Sequence, residues 1–288
     1  MNRASRRIKF FTWLSGFAAL VLIVAAIFAP RPLDWSYSFS RRDNIPFGGH
    51  LVFESMNDLF PDQPIETAYS PPDVFIDSIP PGNTNYIFIK GRINMKKEGA
   101  ATLMDAVSAG NQVFIASEHL YGPLADTLEL AYQPEVMPEG NFFSSDSLNF
   151  RFTNPELRSS MGYWYPKWMT RFYFSKFDST RTKVLGYDHK GDVNFIQVDQ
   201  GEGAFFLHSN PLAFTNYHLL SRNNSEYVFK ALSYLPVQPT VWDEYYKPGS
   251  RHQEGLFDYV LNHTSLRMAW YTIILGIILL LIFGSRRK

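Results

Sequence analysis

The sequence predicts an α/β fold: a mostly parallel sheet covered by helices, carrying an irregular β-rich insertion and flanked by two transmembrane helices. Three observations predict it. Residues 85–116 spell a strand, a helix and a second strand with short joins. The best-defined strands are apolar along their whole length, as strands buried on both faces of a parallel sheet are. Two strongly apolar, uncharged runs lie close to the two ends of the chain.

The first uncharged run is residues 10–29, preceded by Arg3, Arg6, Arg7 and Lys9. As a helix rising about 1.5 Å per residue it is long enough for about 30 Å of hydrocarbon. The second is residues 268–284, with Trp270 and Tyr271 at one end and Arg286, Arg287 and Lys288 beyond the other. Basic residues stay on the cytoplasmic side, and aromatic rings favour the membrane interface. The expected layout is a cytoplasmic N-terminus at 1–9, a transmembrane helix at 10–29 and an exported α/β domain at 31–249. A juxtamembrane helix at 250–267, a transmembrane helix at 268–284 and a cytoplasmic tail at 285–288 complete it. This layout predicts a cell inner-membrane protein with both termini cytoplasmic, a periplasmic central domain and the lipid bilayer as a partner. A cleaved signal peptide is the rival reading of the first run, but its apolar core is longer than such signals carry and Pro30 follows it.

Between the two runs, residues 34–39 alternate like a strand. Leu51, Val52, Ser55, Met56 and Leu59 follow helical spacing until Pro61 ends the run. Strand 85–89 leads to a helix over 95–109, with Ala100, Leu103, Met104 and Val107 on one face, and Gly110-Asn111 stops it before strand 112–116. The crossover between these strands is expected to be right-handed. A helix is expected over 123–132. From about 134 to 190 the periodicity weakens, and this stretch reads as an insertion on the sheet edge with short strands at 149–152 and 172–174. Strands 184–187 and 193–198 flank Lys190-Gly191-Asp192, a hairpin signal. A buried strand over 203–207, a helix over 223–235, a strand over 237–242 and a short helix over 250–262 follow.

Composition excludes several function classes. Lys and Arg total 27 and Asp and Glu total 27, so the basic excess of a dedicated nucleic-acid binder is missing. Cysteine is absent, which removes disulfides, Cys-ligated metals and any thiol nucleophile. No H-E-x-x-H occurs, and no metal or cofactor is expected. Gly201-Glu202-Gly203 resembles half a phosphate loop but precedes a strand instead of following one.

Ligands of open α/β sheets bind at the carboxyl ends of the strands. Three polar clusters fall there: Lys90-Gly91-Arg92, Ser117-Glu118-His119 and His208-Ser209-Asn210. Ser117 as nucleophile, His208 or His119 as base and Glu118 as orienter would make a serine hydrolase. The nucleophile elbow G-x-S-x-G is missing, and a turn-capping role for Ser117 competes with that reading. Lys90, Arg92, His119, Ser209 and Asn210 are the candidate ligand-binding residues. Tyr163, Trp164, Tyr165 and Trp168 belong to an aromatic stretch that either packs the insertion onto the core or forms a partner-binding patch.

The segments DNIPFG at 43–48, LFP at 59–61, NYIFI at 85–89, GNQVFIA at 110–116 and GAFFLHSNPLAFTN at 203–216, followed by Leu219-Leu220, resemble the bacterial family of membrane proteins known as domain of unknown function 4350, common in Bacteroidetes. The resemblance covers most of residues 34–236. It implies a flavodoxin-like fold similar to class I glutamine amidotransferases, and gene neighbourhoods with MoxR-type ATPases and von Willebrand-type partner proteins. Those amidotransferases use a Cys nucleophile; the nearest position by chain order is Ser117. The leading expectation is therefore a membrane-anchored, non-catalytic binding or scaffold protein of a cell-envelope complex. The alternatives are a membrane-tethered serine hydrolase using Ser117 and His208, or a small-ligand sensor at the same rim.

Overall fold

Apolar strands flanked by amphipathic helices give a sheet that is buried on both faces. The computed structural model describes residues 33–78, 83–134, 147–166, 169–247 and 266–274, together with Trp13, Gly16, Phe17, Leu20, Val21 and Gly276. The chain divides into two compact units, Met1–Trp35 and Ser36–Lys288. The described residues of the first include exposed helical positions at Trp13, Phe17, Leu20 and Val21.

The second unit holds the strands β1 (Ile65–Ala68), β2 (Asn85–Ile89), β3 (Arg92–Asn94), β4 (Gln112–Ala116), β5 (His119–Tyr121), β6 (Ala131–Pro134), β7 (Leu148–Phe152), β8 (Tyr163–Tyr165), β9 (Phe172–Lys176), β10 (Thr182–Asp188), β11 (Val193–Gln200), β12 (Gly203–His208) and β13 (Thr240–Asp243). Nine of them form one sheet in the order β1-β13-β2-β4-β12-β11-β10-β7-β8. The strands from β1 to β12 in that order run parallel to one another, and each pairing from β12 onward to β8 is antiparallel. Two further pairs, β3 with β5 and β6 with β9, stand outside it.

The helices are α1 (His50–Glu54), α2 (Met56–Leu59), α3 (Pro72–Phe75), α4 (Lys97–Ser108), α5 (Pro123–Thr127), α6 (Asn216–Leu219) and α7 (Asn224–Leu232). Strand alternation sends neighbouring residues of β2 to opposite layers. Tyr86 and Phe88 pack with Leu103 and Val107 of α4, whereas Ile87 and Ile89 pack with Val52, Met56 and, from α7, Tyr227 and Leu232. The β2–α4–β4 unit read from the sequence is present, with β2 and β4 parallel and in direct register from Asn85 opposite Gln112 to Ile89 opposite Ala116.

The expected flavodoxin-like, mostly parallel sheet is corrected: the sheet is mixed. The physical reason is that burial on both faces gives the same apolar run in either strand direction. β11 and β12 are joined by only Gly201-Glu202, with Gly201 at a φ of +61°. A two-residue join makes a hairpin and cannot make a parallel crossover. The expected edge insertion supplies β7, β8 and β10 to the same sheet, and β9 to the separate pair with β6. Residues 34–39 form no strand, and the helix expected over 123–132 ends at Thr127.

The two membrane spans are corrected as well. Among the described residues, no helix is long and apolar enough to cross a membrane. Residues 266–274 are helical, and most of the runs at 10–29 and 268–284 lie outside the described residues, as does the helix expected over 250–262. The inner-membrane placement with a periplasmic central domain accordingly finds no spanning helix to support it among the described residues.

Candidate functional site

β2, β4 and β12 are adjacent and parallel, so the three polar clusters do leave the sheet at one rim. What their side chains do there differs from the expectation. Ser117 is fully buried. Its hydroxyl reaches two backbone carbonyls, Gly91 O at 3.1 Å and His119 O at 2.8 Å, and accepts from the His119 amide at 3.2 Å. It stitches the turn after β4 to the turn after β2, the turn-capping role weighed against the nucleophile.

His208 is fully buried as well, in a cage of Phe150, Phe195, Phe214 and Tyr227. Its Nδ1 accepts from the Asn210 amide at 3.0 Å, which leaves Nε2–H to donate to Tyr227 Oη at 2.8 Å. Burial pushes its pKa down to about 3, so the imidazole is neutral at neutral pH. The Ser117 amide bonds the His208 carbonyl at 2.9 Å, yet the two side chains are committed to different partners. Ser209 and Asn210 are buried clamps: Ser209 Oγ donates to Phe172 O at 2.6 Å, and Asn210 Nδ2 donates to the same carbonyl at 2.8 Å. They fasten β9 to the end of β12.

The remaining rim candidates are more open. Arg92 is exposed, and Lys90 and Glu118 are partly buried. Burial pushes the Glu118 carboxyl up to about 7 against the opposing pull of Arg92. Burial lowers Lys90, with Asp243 acting against that shift. The His119 ring packs on Tyr121, Tyr132 and Phe172.

Sequence reasoning missed the acidic end of β13. Asp243, Glu244 and Lys247 are all buried. Glu244 accepts from Ser40 Oγ at 2.8 Å, the Arg41 amide at 2.9 Å, Trp242 Nε1 at 2.9 Å and Lys247 Nζ at 3.2 Å. Burial pushes Asp243 up to about 7 and Lys247 down to about 8. The signal was available, because the carboxyl-end rule applies equally to the segment VWDEYYK once β13 is placed inside the parallel part of the sheet.

The aromatic candidates separate. Tyr163 is core: buried, it packs edge-on against Phe152 and tilted against Tyr227, and accepts from Lys230 Nζ at 3.1 Å. Trp168 lies outside the described residues. Trp164 and Tyr165 line a cavity of about 470 Å³ with Ser147, Tyr217, Ser221 and Arg222. Trp164 is 36% exposed and its Nε1 donates to Met161 O at 3.0 Å. Arg222, at a φ of +54°, is exposed at the mouth, and Met161 and Leu220 beside these segments are each 73% exposed.

Behind this wall sits His218, fully buried against Tyr165, Tyr217 and Phe47. Among the described residues, neither ring nitrogen has a hydrogen-bond partner. Burial pushes its pKa down to about 3. A buried unpaired polar group costs about 1–3 kcal/mol, so His218→Phe is expected to raise stability by that amount in urea titrations. The unfolded imidazole takes up its proton near pH 6.5 and the folded one near 3, so stability contributed by this site rises with pH across that window and falls on acidification. The variant should lose its share of that acid sensitivity, and a destabilised His218→Phe would show that the imidazole has a partner in solution.

A family model, "Domain of unknown function (DUF4350)", matches residues 43–232. The chain belongs to the DUF4350 family. No curated protein matches it. Among solved structures, the DUF4350 chain is similar to "mmIFT52 N-terminal domain" at 12% identity, covering 52% of this chain and 75% of that one, with a TM-score of 0.39. It is similar to a β-galactosidase from Bacillus circulans sp. alkalophilus at 10% identity, over 55% of this chain and 23% of that one, with a TM-score of 0.36. A cytoplasmic protein from Salmonella typhimurium matches at 10% identity over 48% and 60% of the two chains, with a TM-score of 0.33. The chain thus spans well under two thirds of the galactosidase and less than two thirds of the Salmonella protein. Likeness this distant assigns neither fold nor function.

Proposed function

We propose that this DUF4350 chain is a non-catalytic binding protein that acts as a scaffold, and that the cavity at Trp164 and Arg222 receives a side chain of a protein partner. The observation that carries the reading is the composition of that wall. Three aromatic rings, two serines and an exposed arginine surround about 470 Å³ of space, and large exposed apolar side chains flank it. Aromatic and arginine anchors of this kind concentrate binding energy at protein interfaces. The complementary partner segment carries an apolar or aromatic residue for the cavity and an acidic residue for Arg222. The hydrolase alternative loses support because the Ser117 hydroxyl and both His208 nitrogens already hold the fold together. MoxR-type ATPases and von Willebrand-type proteins, implied by the family resemblance, are the first partners to test.

A photo-cross-linking residue at Leu220 is expected to give one discrete protein adduct in the source cells. The adduct should disappear in Trp164→Ala and in Arg222→Glu, and mass spectrometry would identify it. A fluorophosphonate probe is expected to leave the protein unlabelled. Ser117-dependent labelling, or an adduct indifferent to both substitutions, would overturn the reading.

A further inference from the structure

A second cleft, sharing no lining residue with the first, lies at the antiparallel end of the sheet between β7, β10 and the segment that follows β7. Its volume is about 700 Å³, and Arg151, Arg158, Ser159, Ser160, Tyr187 and His189 line it. Arg151 of β7 stands directly opposite Tyr187 of β10, so their side chains share one face. After β7 a short 3₁₀ turn, Pro155–Leu157, is capped by Asn154 Oδ1, which accepts from the Glu156 amide at 3.1 Å, and it returns Arg158 to the cleft.

Both guanidiniums are braced by neutral acceptors. Arg158 Nε donates to Phe152 O at 3.0 Å and its Nη2 to Thr153 O at 2.9 Å. Arg151 Nε donates to Asn149 Oδ1 at 3.2 Å, and Asn149 is itself buried and anchored to Met161 O at 3.0 Å. Five N–H groups per arginine leave Nη1 of Arg158 and both Nη groups of Arg151 uncommitted to these bonds. Among the described residues, neither arginine forms an ion pair. The one acid in the wall, Asp188, is spent elsewhere: its Oδ2 takes Arg171 Nε at 2.5 Å and its Oδ1 takes the amides of Lys190 and Asp192. Arg171 bridges on to Asp192 as well.

The wall therefore carries two braced, uncompensated positive forks beside two serine hydroxyls. Planar guanidinium forks match the paired oxygens of phosphoryl groups, and hydroxyls add further donors. We infer that this cleft binds a phosphoryl dianion on a small molecule, with Arg151 and Arg158 as the principal contacts. The volume exceeds what a lone phosphate fills, so the ligand is a diphosphate or a phosphate ester whose organic part lies along Tyr187.

Isothermal titration of the full chain with inorganic pyrophosphate tests this, with sulfate at matched ionic strength as the comparison anion. Saturable pyrophosphate binding is expected, weakened tenfold or more in Arg151→Gln and in Arg158→Gln. Ser160→Asp, which adds a carboxylate at an exposed position of the wall and leaves the bracing bonds intact, should weaken it comparably. Lys183→Gln removes one charge from β10 outside the cleft and should leave binding unchanged. Absence of saturable binding, equal affinity for sulfate, or an equal loss in Lys183→Gln would each overturn the assignment.

Discussion

Trp242→Ala is expected to lower the unfolding free energy by about 3–5 kcal/mol, the range for emptying a buried aromatic site. The side chain is fully buried on β13, between β1 and β2. Its ring meets Phe53 edge-on at 5.8 Å and lies 3.8 Å from the Lys247 ammonium. Its Nε1 supplies one of the hydrogen bonds to Glu244. Truncation thus opens a cavity, removes the cation–π contact and withdraws a donor from a buried carboxylate. At about 2–4 °C per kcal/mol for a chain of this size, thermal unfolding should fall by about 6 °C or more. Trp242→Phe retains most of the volume and should cost about 1–3 kcal/mol, the penalty of the lost N–H bond. A Trp242→Ala protein that melts with the wild type would show that this strand adds little to the core.

Glu244→Gln is expected to cost about 3–5 kcal/mol, because it leaves the Lys247 ammonium buried without its partner. Glutamine keeps Oε1 as acceptor for the Arg41 amide and Trp242 Nε1, and its NH2 takes the place of the oxygen that accepts from Ser40, whose hydroxyl can turn to accept instead, so the loss reports chiefly the charge. Adding Lys247→Met should recover most of it, since replacing both members of a buried ion pair by uncharged groups is commonly neutral. The pH dependence has a definite sign. Burial pushes Glu244 up, but Lys247, the Arg41 amide, Trp242 and Ser40 outweigh it and hold its pKa below the ordinary value. Its stabilisation is present above the unfolded carboxylate range and is lost as pH falls through the folded pKa. Asp243 acts in the opposite sense: raised to about 7, it contributes a loss of stability as pH rises from about 4 to 7, which Asp243→Asn should abolish. Urea titrations across that range separate the two groups, and a double variant no more stable than Glu244→Gln would rule out the pairing.

Much of this architecture was legible in the residues. NYIFI and QVFIA read as strands because every side chain is apolar or packs, and the Gly110-Asn111 stop marked the end of α4. Strand direction was not legible, because a run such as GAFFL is buried on both faces whichever way its neighbour points. The loop Gly201-Glu202 carried the missing information: two residues starting with glycine between apolar runs signal a hairpin. The rim was placed correctly, but its chemistry was not readable from spacing. A serine and a histidine at strand ends look alike whether they react or cap, and only the bonds of Ser117 to Gly91 and His119, and of His208 to Tyr227 and Asn210, decide between those roles. The basic cleft brings together Arg151 from β7, Arg158 from the segment after the 3₁₀ turn and His189 from the turn after β10, and no local motif announces such a meeting.

The position of β13 has a consequence for how the protein is made. Among the described residues β1 is an edge strand that pairs with β13 alone, and β13 separates it from β2. A ribosome delivers these pieces in the opposite order of need: β1 emerges early and waits while nearly the whole domain is synthesised. Ser40 and Glu244, 204 positions apart, are then joined by a hydrogen bond just beyond the end of β13. Such late, distant closure slows folding, and until it occurs β1 and the exposed flank of β2 are unpaired edges open to association with other nascent chains.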